Sequence, residues 1–266
     1  GAMRRALLAL LLLVPLLVPL LPAPATAALT AGELRAAGIV PPPHAALPLG
    51  LVFRDEAGQA VTLGDALGGR PAVLVFADYT CTFLCGTALG ATAAALDHTG
   101  LAAGEAFRLL VLPLDARDGP GDAAAMRAAR LDPRTPLARA ASFLTGDAAA
   151  VEQTEAALGY TARFDRATDS FAHPLGTFII APDGRVARVL SELGPDPATL
   201  RLALVEASAG RIGGLTDRIR LLCYGYDPVQ GAYTPRIREV LMVCAALTLV
   251  LLAGGLLLLR RLESRR

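Results

Sequence analysis

The sequence predicts an α/β domain with a central mixed sheet flanked by helices, followed by one C-terminal transmembrane helix. Three observations carry this reading. Apolar runs of strand length, PAVLVFA (71–77) and FRLLVLPLD (107–115), alternate with helical segments. A strand–turn–strand unit, GTFIIAPDGRVARVL, precedes a last helix. Residues 240–259 then form an uncharged apolar run. With 54% hydrophobic and 18% charged residues among 266, the chain is too apolar for a disordered protein. Its 26 Gly and 19 Pro follow no period, which excludes a collagen-like or solenoid chain. The net charge is +1, with arginines gathered at both ends (Arg4, Arg5, Arg260, Arg261, Arg265, Arg266) around a mildly acidic body. Nucleic acid needs a concentrated basic face, so it is not an expected partner.

Residues 1–28 read as a secretory signal peptide. Arg4 and Arg5 precede an apolar run that ends at Ala25-Thr26-Ala27, a small-x-small cleavage pattern. An uncleaved anchor is the rival, but Pro15 and Pro19 interrupt the run. Residues 29–44 read as a linker, with a short helix over Thr30 to Gly38 and an extended Val40 to Pro43. The domain covers residues 45–214. LGLVFRD, Glu56-Ala57-Gly58-Gln59 and AVTL predict a hairpin. A buried strand (71–77) and an Ala-rich helix from Thr87 to His98 follow. Next come a second buried strand (107–115), a helix from Asp122 to Arg130, a short strand in ASFLTG and a helix from Ala148 to Leu158. The strand pair around Pro182-Asp183-Gly184 leads into a helix from Asp196 to Ala209, with Pro197 in its first turn. Residues 215–239 are juxtamembrane, 240–259 span the bilayer, and 260–266 form a tail whose arginines place it in the cytoplasm.

The chemistry centres on Cys81 and Cys85, spaced Cys-x-x-x-Cys after the first buried strand and before a helix. Sites in open α/β sheets are built at such strand ends, and a helix N-terminus favours thiolate. The spacing allows both sulfurs to face one side of a helical turn. In an oxidising compartment the pair can close a disulfide. A structural disulfide is the plain alternative, but so short a loop restricts the unfolded chain little. Among the three histidines, His44 and His98 read as surface-loop residues. His173, in FAHPLG, precedes a strand expected to neighbour the cysteine-bearing one. Two thiolates and an imidazole make a soft site of low coordination, suited to Cu(I) and, with added ligands, to Cu(II). Taken alone, His173 reads more readily as a plain loop histidine than as a ligand. Cys223 lies outside the expected span, with interchain pairing or copper relay as its open uses. Cys244 lies within the span as a small apolar residue.

The ordered set DEAGQAVTL, RPAVLVFADYTCTFLC, LPLDARD, FLTGD and FAHPLGTFIIAPDGRVARVL resembles the SCO/SenC family, from about Leu49 to Leu222. LLCYGYDPVQGAY before an apolar run is similar to bacterial members with a C-terminal anchor. The resemblance implies a thioredoxin-like fold and copper ligation by Cys81, Cys85 and His173, with Cys81 and Cys85 also forming the redox disulfide. It implies Asp115 as a candidate outer-shell group, with a strand-end cap as the alternative. It further implies a copper cargo delivered to the CuA centre of cytochrome c oxidase subunit II, or reduction of that subunit's cysteines. The expected place is the bacterial inner membrane, with the domain facing the periplasm. The sequence departs from the family pattern at Gly86, where many members have Pro, and at Asp78 and Thr82. A carboxylate three residues before Cys81 opposes thiolate formation.

Two functions of different class follow. One is a copper metallochaperone, which passes on metal without turnover. The other is an enzyme, a thioredoxin-like thiol–disulfide reductase acting on exported cysteine pairs. His173 separates them, since only the copper site needs it, and redox motifs of this kind are usually Cys-x-x-Cys.

Overall fold

The computed structural model describes residues 29–30, 32, 36–81, 85–190, 194–227, 232–235 and 237–263. Ahead of the main sheet lie β1 (Gly38–Ile39) and the hairpin β2 (Val52–Arg54) and β3 (Ala60–Thr62). The Asp55 carboxylate closes the hairpin turn by accepting the Ala57 and Gln59 N–H groups at 2.9 and 2.8 Å. Thr62 caps the short helix α1 (Leu63–Leu67) through Asp65 N–H at 3.0 Å.

The domain then alternates as its apolar pattern predicts, through β4 (Ala72–Ala77), α2 (Cys85–Asp97), β5 (Arg108–Pro113) and α3 (Pro120–Arg130). After α4 (Pro136–Ala140) come β6 (Ala141–Phe143) and α5 (Ala148–Leu158). Three short strands follow, β7 (Tyr160–Thr161), β8 (Arg163–Asp165) and β9 (Ser170–Ala172). The pair β10 (Thr177–Ile180) and β11 (Val186–Leu190) leads to α6 (Pro197–Ala207), capped by Asp196. Beyond the expected domain lie α7 (Leu215–Cys223), a hairpin of β12 (Tyr224–Asp227) and β13 (Ala232–Pro235), and α8 (Ile237–Glu263).

The main sheet runs β11-β10-β4-β5-β6. β4, β5 and β6 are parallel, and β10 is antiparallel to both of its neighbours. This is the expected mixed sheet, and β10 does lie beside the strand that leads to the cysteines. β4, and β5 beyond its first residue Arg108, are apolar because both faces are covered. The alternation of side chains still sorts them. Val73, Leu109 and Val111 face α2, α3 and α6 with Leu89, Met126 and Leu204. Leu74, Phe76, Leu110 and Leu112 face the other side with Phe53, Leu67, Leu158, Tyr160 and Phe178.

Several expectations need correction. The Ala-rich helix begins at Cys85, not Thr87, so Cys81 lies ahead of the helix and not on one of its turns. α1, α4 and β7–β9 were not anticipated: they are helices of five residues and strands of two or three that no turn motif or apolar run marked in the sequence. The segment read as a linker contributes β1, which pairs with β7 through Ile39 and Tyr160. Residues 31 and 33–35 of the expected Thr30–Gly38 helix and all of residues 1–28 lie outside the described residues, and Gly38 belongs to β1. α7 is docked on the domain: Arg201 forks onto buried Asp217 at 2.7 Å twice and donates to the Thr99 carbonyl at 2.7 Å. The uncharged run 240–259 falls in α8, but several of its side chains lie outside the described residues. Among the described residues no helix is long and apolar enough to cross a membrane, so the expected span is not shown.

Gly159 caps α5 at φ 65°, and a Cβ there would sit 2.0 Å from the Val40 carbonyl oxygen. Gly58 shares the left-handed conformation (φ 77°) but faces open space. Gly58→Ala should therefore cost about 1 kcal/mol of stability, from backbone conformation alone. Gly159→Ala should cost upward of about 2 kcal/mol, because β1 must also move. Urea denaturation midpoints of the two variants check this, and equal losses would count against the β1–β7 contact.

Candidate metal centre

The loop after β4 is held by carboxylates. Asp78 is buried, and its main-chain carbonyl accepts the Cys81 N–H at 3.2 Å. Asp78 Oδ1 accepts both the N–H and the hydroxyl of Thr80 at 3.1 Å, while Oδ2 accepts the Phe171 N–H at 3.4 Å. One side chain thus ties the cysteine loop to β9. Tyr79 donates its N–H to Asp118 Oδ2 at 2.9 Å, and its buried hydroxyl reaches the carbonyls of Leu144 and Val111 at 2.7 and 2.9 Å. Cys81 follows, half-buried. Cys85 opens α2. Residues 82–84 and the Cys85 side chain lie outside the described residues, and so does the expected Cys81–Cys85 disulfide. The next residue, Gly86, is covered by the Arg130 guanidinium, which lies 2.4–2.6 Å from where a Cβ would stand.

His173 sits in the turn between β9 and β10. Its Nδ1 lies 2.9 Å from the Tyr160 hydroxyl and 3.1 Å from the Pro174 carbonyl oxygen. Burial, which disfavours the charged ring, lowers its pKa; the Pro174 carbonyl and the Asp78 charge work against that shift. His173 and Pro174 line a small cavity together with Ala88 and Thr92 of α2 and Phe76 of β4. The fold therefore brings His173 to the flank of the helix that begins with Cys85. Among the described residues, no three His, Cys, Asp or Glu side chains are grouped to hold a metal. The two-cysteine, one-histidine set includes a side chain outside that description.

Asp115 is committed to Arg117. The Arg117 Nε is 3.0 and 2.8 Å from its two oxygens, and the Arg117 N–H is 2.8 Å from Oδ1. Burial pushes the Asp115 carboxyl up, but these bonds and the guanidinium charge outweigh it and hold the group below its ordinary value. Arg117 also reaches Asp169 at 3.1 Å and lies over the Phe164 ring at 4.9 Å. Asp115 thereby braces the β8–β9 hairpin that leads to His173. Of the other histidines, His98 bonds the Ala94 carbonyl at 2.7 Å at the end of α2, and His44 occupies an exposed turn at φ 61°. The side chains of Cys223 and Cys244 lie outside the described residues. Asp118, Tyr160, Arg117 and Arg130 were missed. Asp118 and Arg117 stood in the same LPLDARD motif as Asp115, while Tyr160 and Arg130 are brought in by tertiary contacts that no local motif announces.

The SCO1/SenC family model matches residues 50–206. No curated protein matches the chain. Among solved structures, a protein of Aquifex aeolicus VF5 is 16% identical with a TM-score of 0.55, covering 63% of this chain and 95% of its own. Arabidopsis thaliana ScoI with copper bound is 16% identical with a TM-score of 0.50, covering 59% and 94%. BsSco, a member of the Sco family of cytochrome c oxidase assembly proteins, is 15% identical with a TM-score of 0.50, covering 64% and 96%. At these identities the likeness shows the shared fold, and that fold is the thioredoxin-like one expected.

Burial comes first among the causes that push the Asp118 carboxyl up to about 6, helped by the nearby Asp78, Asp115 and Asp122 charges and opposed by the Tyr79 N–H. The unfolded chain loses this proton near 3.8, so between there and about 6 the native state binds more protons. Stability contributed by the group must then fall as pH rises through that window. Asp118→Asn keeps an oxygen for the Tyr79 N–H and removes the titration. Urea unfolding should show a shallower decline from about pH 4 to about pH 6 in the variant. Parallel profiles for variant and wild type would contradict the assignment.

Proposed function

The chain belongs to the SCO1/SenC family, and on that premise we propose that it is a copper metallochaperone serving assembly of the CuA centre of cytochrome c oxidase. Cys81, Cys85 and His173 hold the cargo. The observation that carries this reading is the position of His173, at the flank of the helix whose first residue is Cys85. A reductase has no use for an imidazole there. Two thiolates and one neutral imidazole suit Cu(I), and the same imidazole is what Cu(II) requires most. Burial, which lowers the His173 pKa, favours the neutral ring that a metal needs. Copper is bound in the solved ScoI of Arabidopsis thaliana. The client, cytochrome c oxidase subunit II, is taken from the family.

The domain is proposed to stand in the periplasm, exported by residues 1–28 and anchored in the inner membrane by residues 240–259. At about 1.5 Å per residue, the 27 residues of α8 extend about 40 Å. Its described side chains include Val243, Leu247, Leu249, Val250, Leu251 and Leu252, all exposed. So large an apolar surface is costly in water and suits lipid. Arg260 and Arg261 then lie on the cytoplasmic side.

The thiol–disulfide reductase is the second reading. It is favoured by the placement of Cys85 at the start of a helix behind a parallel strand. Competition of the reduced protein against a Cu(I) chelator, beside Cu(II) absorbance, separates the two. Cys81→Ser and Cys85→Ser should each weaken Cu(I) binding by orders of magnitude. His173→Ala should be intermediate for Cu(I), since two thiolates still bind linearly, and should abolish the Cu(II) spectrum. If His173→Ala binds both copper states like wild type, the three-ligand site is wrong and the reductase takes its place.

A further inference from the structure

We propose that Tyr160 is the positioning residue of the copper site, fixing the His173 ring so that Nε2 faces the metal. The inference rests on the copper reading above and adds a residue to it. Three atoms lie mutually close: the Tyr160 hydroxyl oxygen, His173 Nδ1 and the Pro174 carbonyl oxygen, separated by 2.9, 3.0 and 3.1 Å. A carbonyl oxygen only accepts, and a phenol carries one proton. Every assignment that satisfies all three atoms puts a proton on Nδ1: the Tyr160 O–H donates to Pro174, and the Nδ1–H of His173 donates to the Tyr160 oxygen, the Pro174 oxygen or both. The reverse assignment would set an Nδ1 lone pair against the carbonyl oxygen. With its proton on Nδ1, the neutral ring carries its lone pair on Nε2. A metal-binding histidine is commonly held this way, by a partner on its second nitrogen.

The hydroxyl is itself held by the core. The Tyr160 ring is buried, 4.4 Å from Phe76 of β4 and 6.2 Å from Phe178 of β10 by ring centroids. Its backbone in β7 pairs with Ile39 of β1. Ile39 also packs on the His173 loop: a Cβ at Gly176 would stand 2.0 Å from Ile39 Cδ1. One short strand therefore touches both the residue that orients the ring and the loop that carries it. A tyrosine that merely filled the core would not need its hydroxyl on the imidazole.

The test uses the full chain labelled with 15N-histidine, in which His173→Gln identifies the His173 signals among three histidines. Long-range 15N–1H spectra at about pH 8, above the ordinary imidazole range, read the tautomer without copper. Wild type should show Nδ1 protonated. Protonated Nε2 would overturn the proposal, and this measurement needs no folded variant. Tyr160→Phe keeps the ring stack and removes the oxygen. It should admit the second tautomer, weaken Cu(II) binding about tenfold and change the nitrogen coupling in the Cu(II) spectrum. Reduction of the cysteine pair should be unchanged. Unaltered tautomer, Cu(II) affinity and coupling in Tyr160→Phe would also overturn it. Failure of wild type to bind copper would instead remove the chaperone reading, and the tautomer spectra would still decide the role of Tyr160.

Discussion

Everything at the candidate centre depends on one register, the antiparallel pairing of β10 on β4. Thr177 lies opposite Val75, so the turn before β10 and the loop after β4 emerge at the same edge of the sheet. His173 and Cys81 are far apart in sequence, yet four backbone-paired residues on each strand bring their loops to one edge of the sheet. A slip of one residue would turn every side chain of β10 to the wrong face. Phe178 and Ile179 forbid that slip, since each is fully buried in a different half of the core.

Around this register the chain sets three buried or nearly buried carboxylates, each with its own donor. Asp78 takes Thr80 and Phe171, Asp118 takes the Tyr79 amide, and Asp115 takes Arg117. Their mutual repulsion would loosen the loop if they were left bare. Bonded to backbone amides and a guanidinium, they hold the cysteine loop and the histidine hairpin in one frame. The Asp78 charge, weighed in the sequence only as an obstacle to thiolate formation, is also the link between the cysteine loop and β9.

The parts of this architecture that were legible in the sequence are those with local signals. The apolar run at 71–77 became β4, the Pro-Asp-Gly turn joined β10 to β11, and Asp147 and Asp196 capped the helices read behind them. Cys81, Cys85 and His173 stood out because thiols and imidazoles are rare and sat beside strand ends. Tyr160 and Arg130 did not, for each gains its role through a partner distant in sequence. β1 and β7 were invisible for the same reason, since two residues become a strand only when another pair lies beside them.

The bare Cα at Gly86 makes positions 86 and 130 a linked pair. The guanidinium of Arg130 fills the space that a side chain on residue 86 would claim. A side chain at 86 and the guanidinium in this position cannot share that space, so a larger residue at 86 would have Arg130 swing aside. In this chain the space beside residue 86 is filled by a cation from α3 and not by a side chain of residue 86 itself.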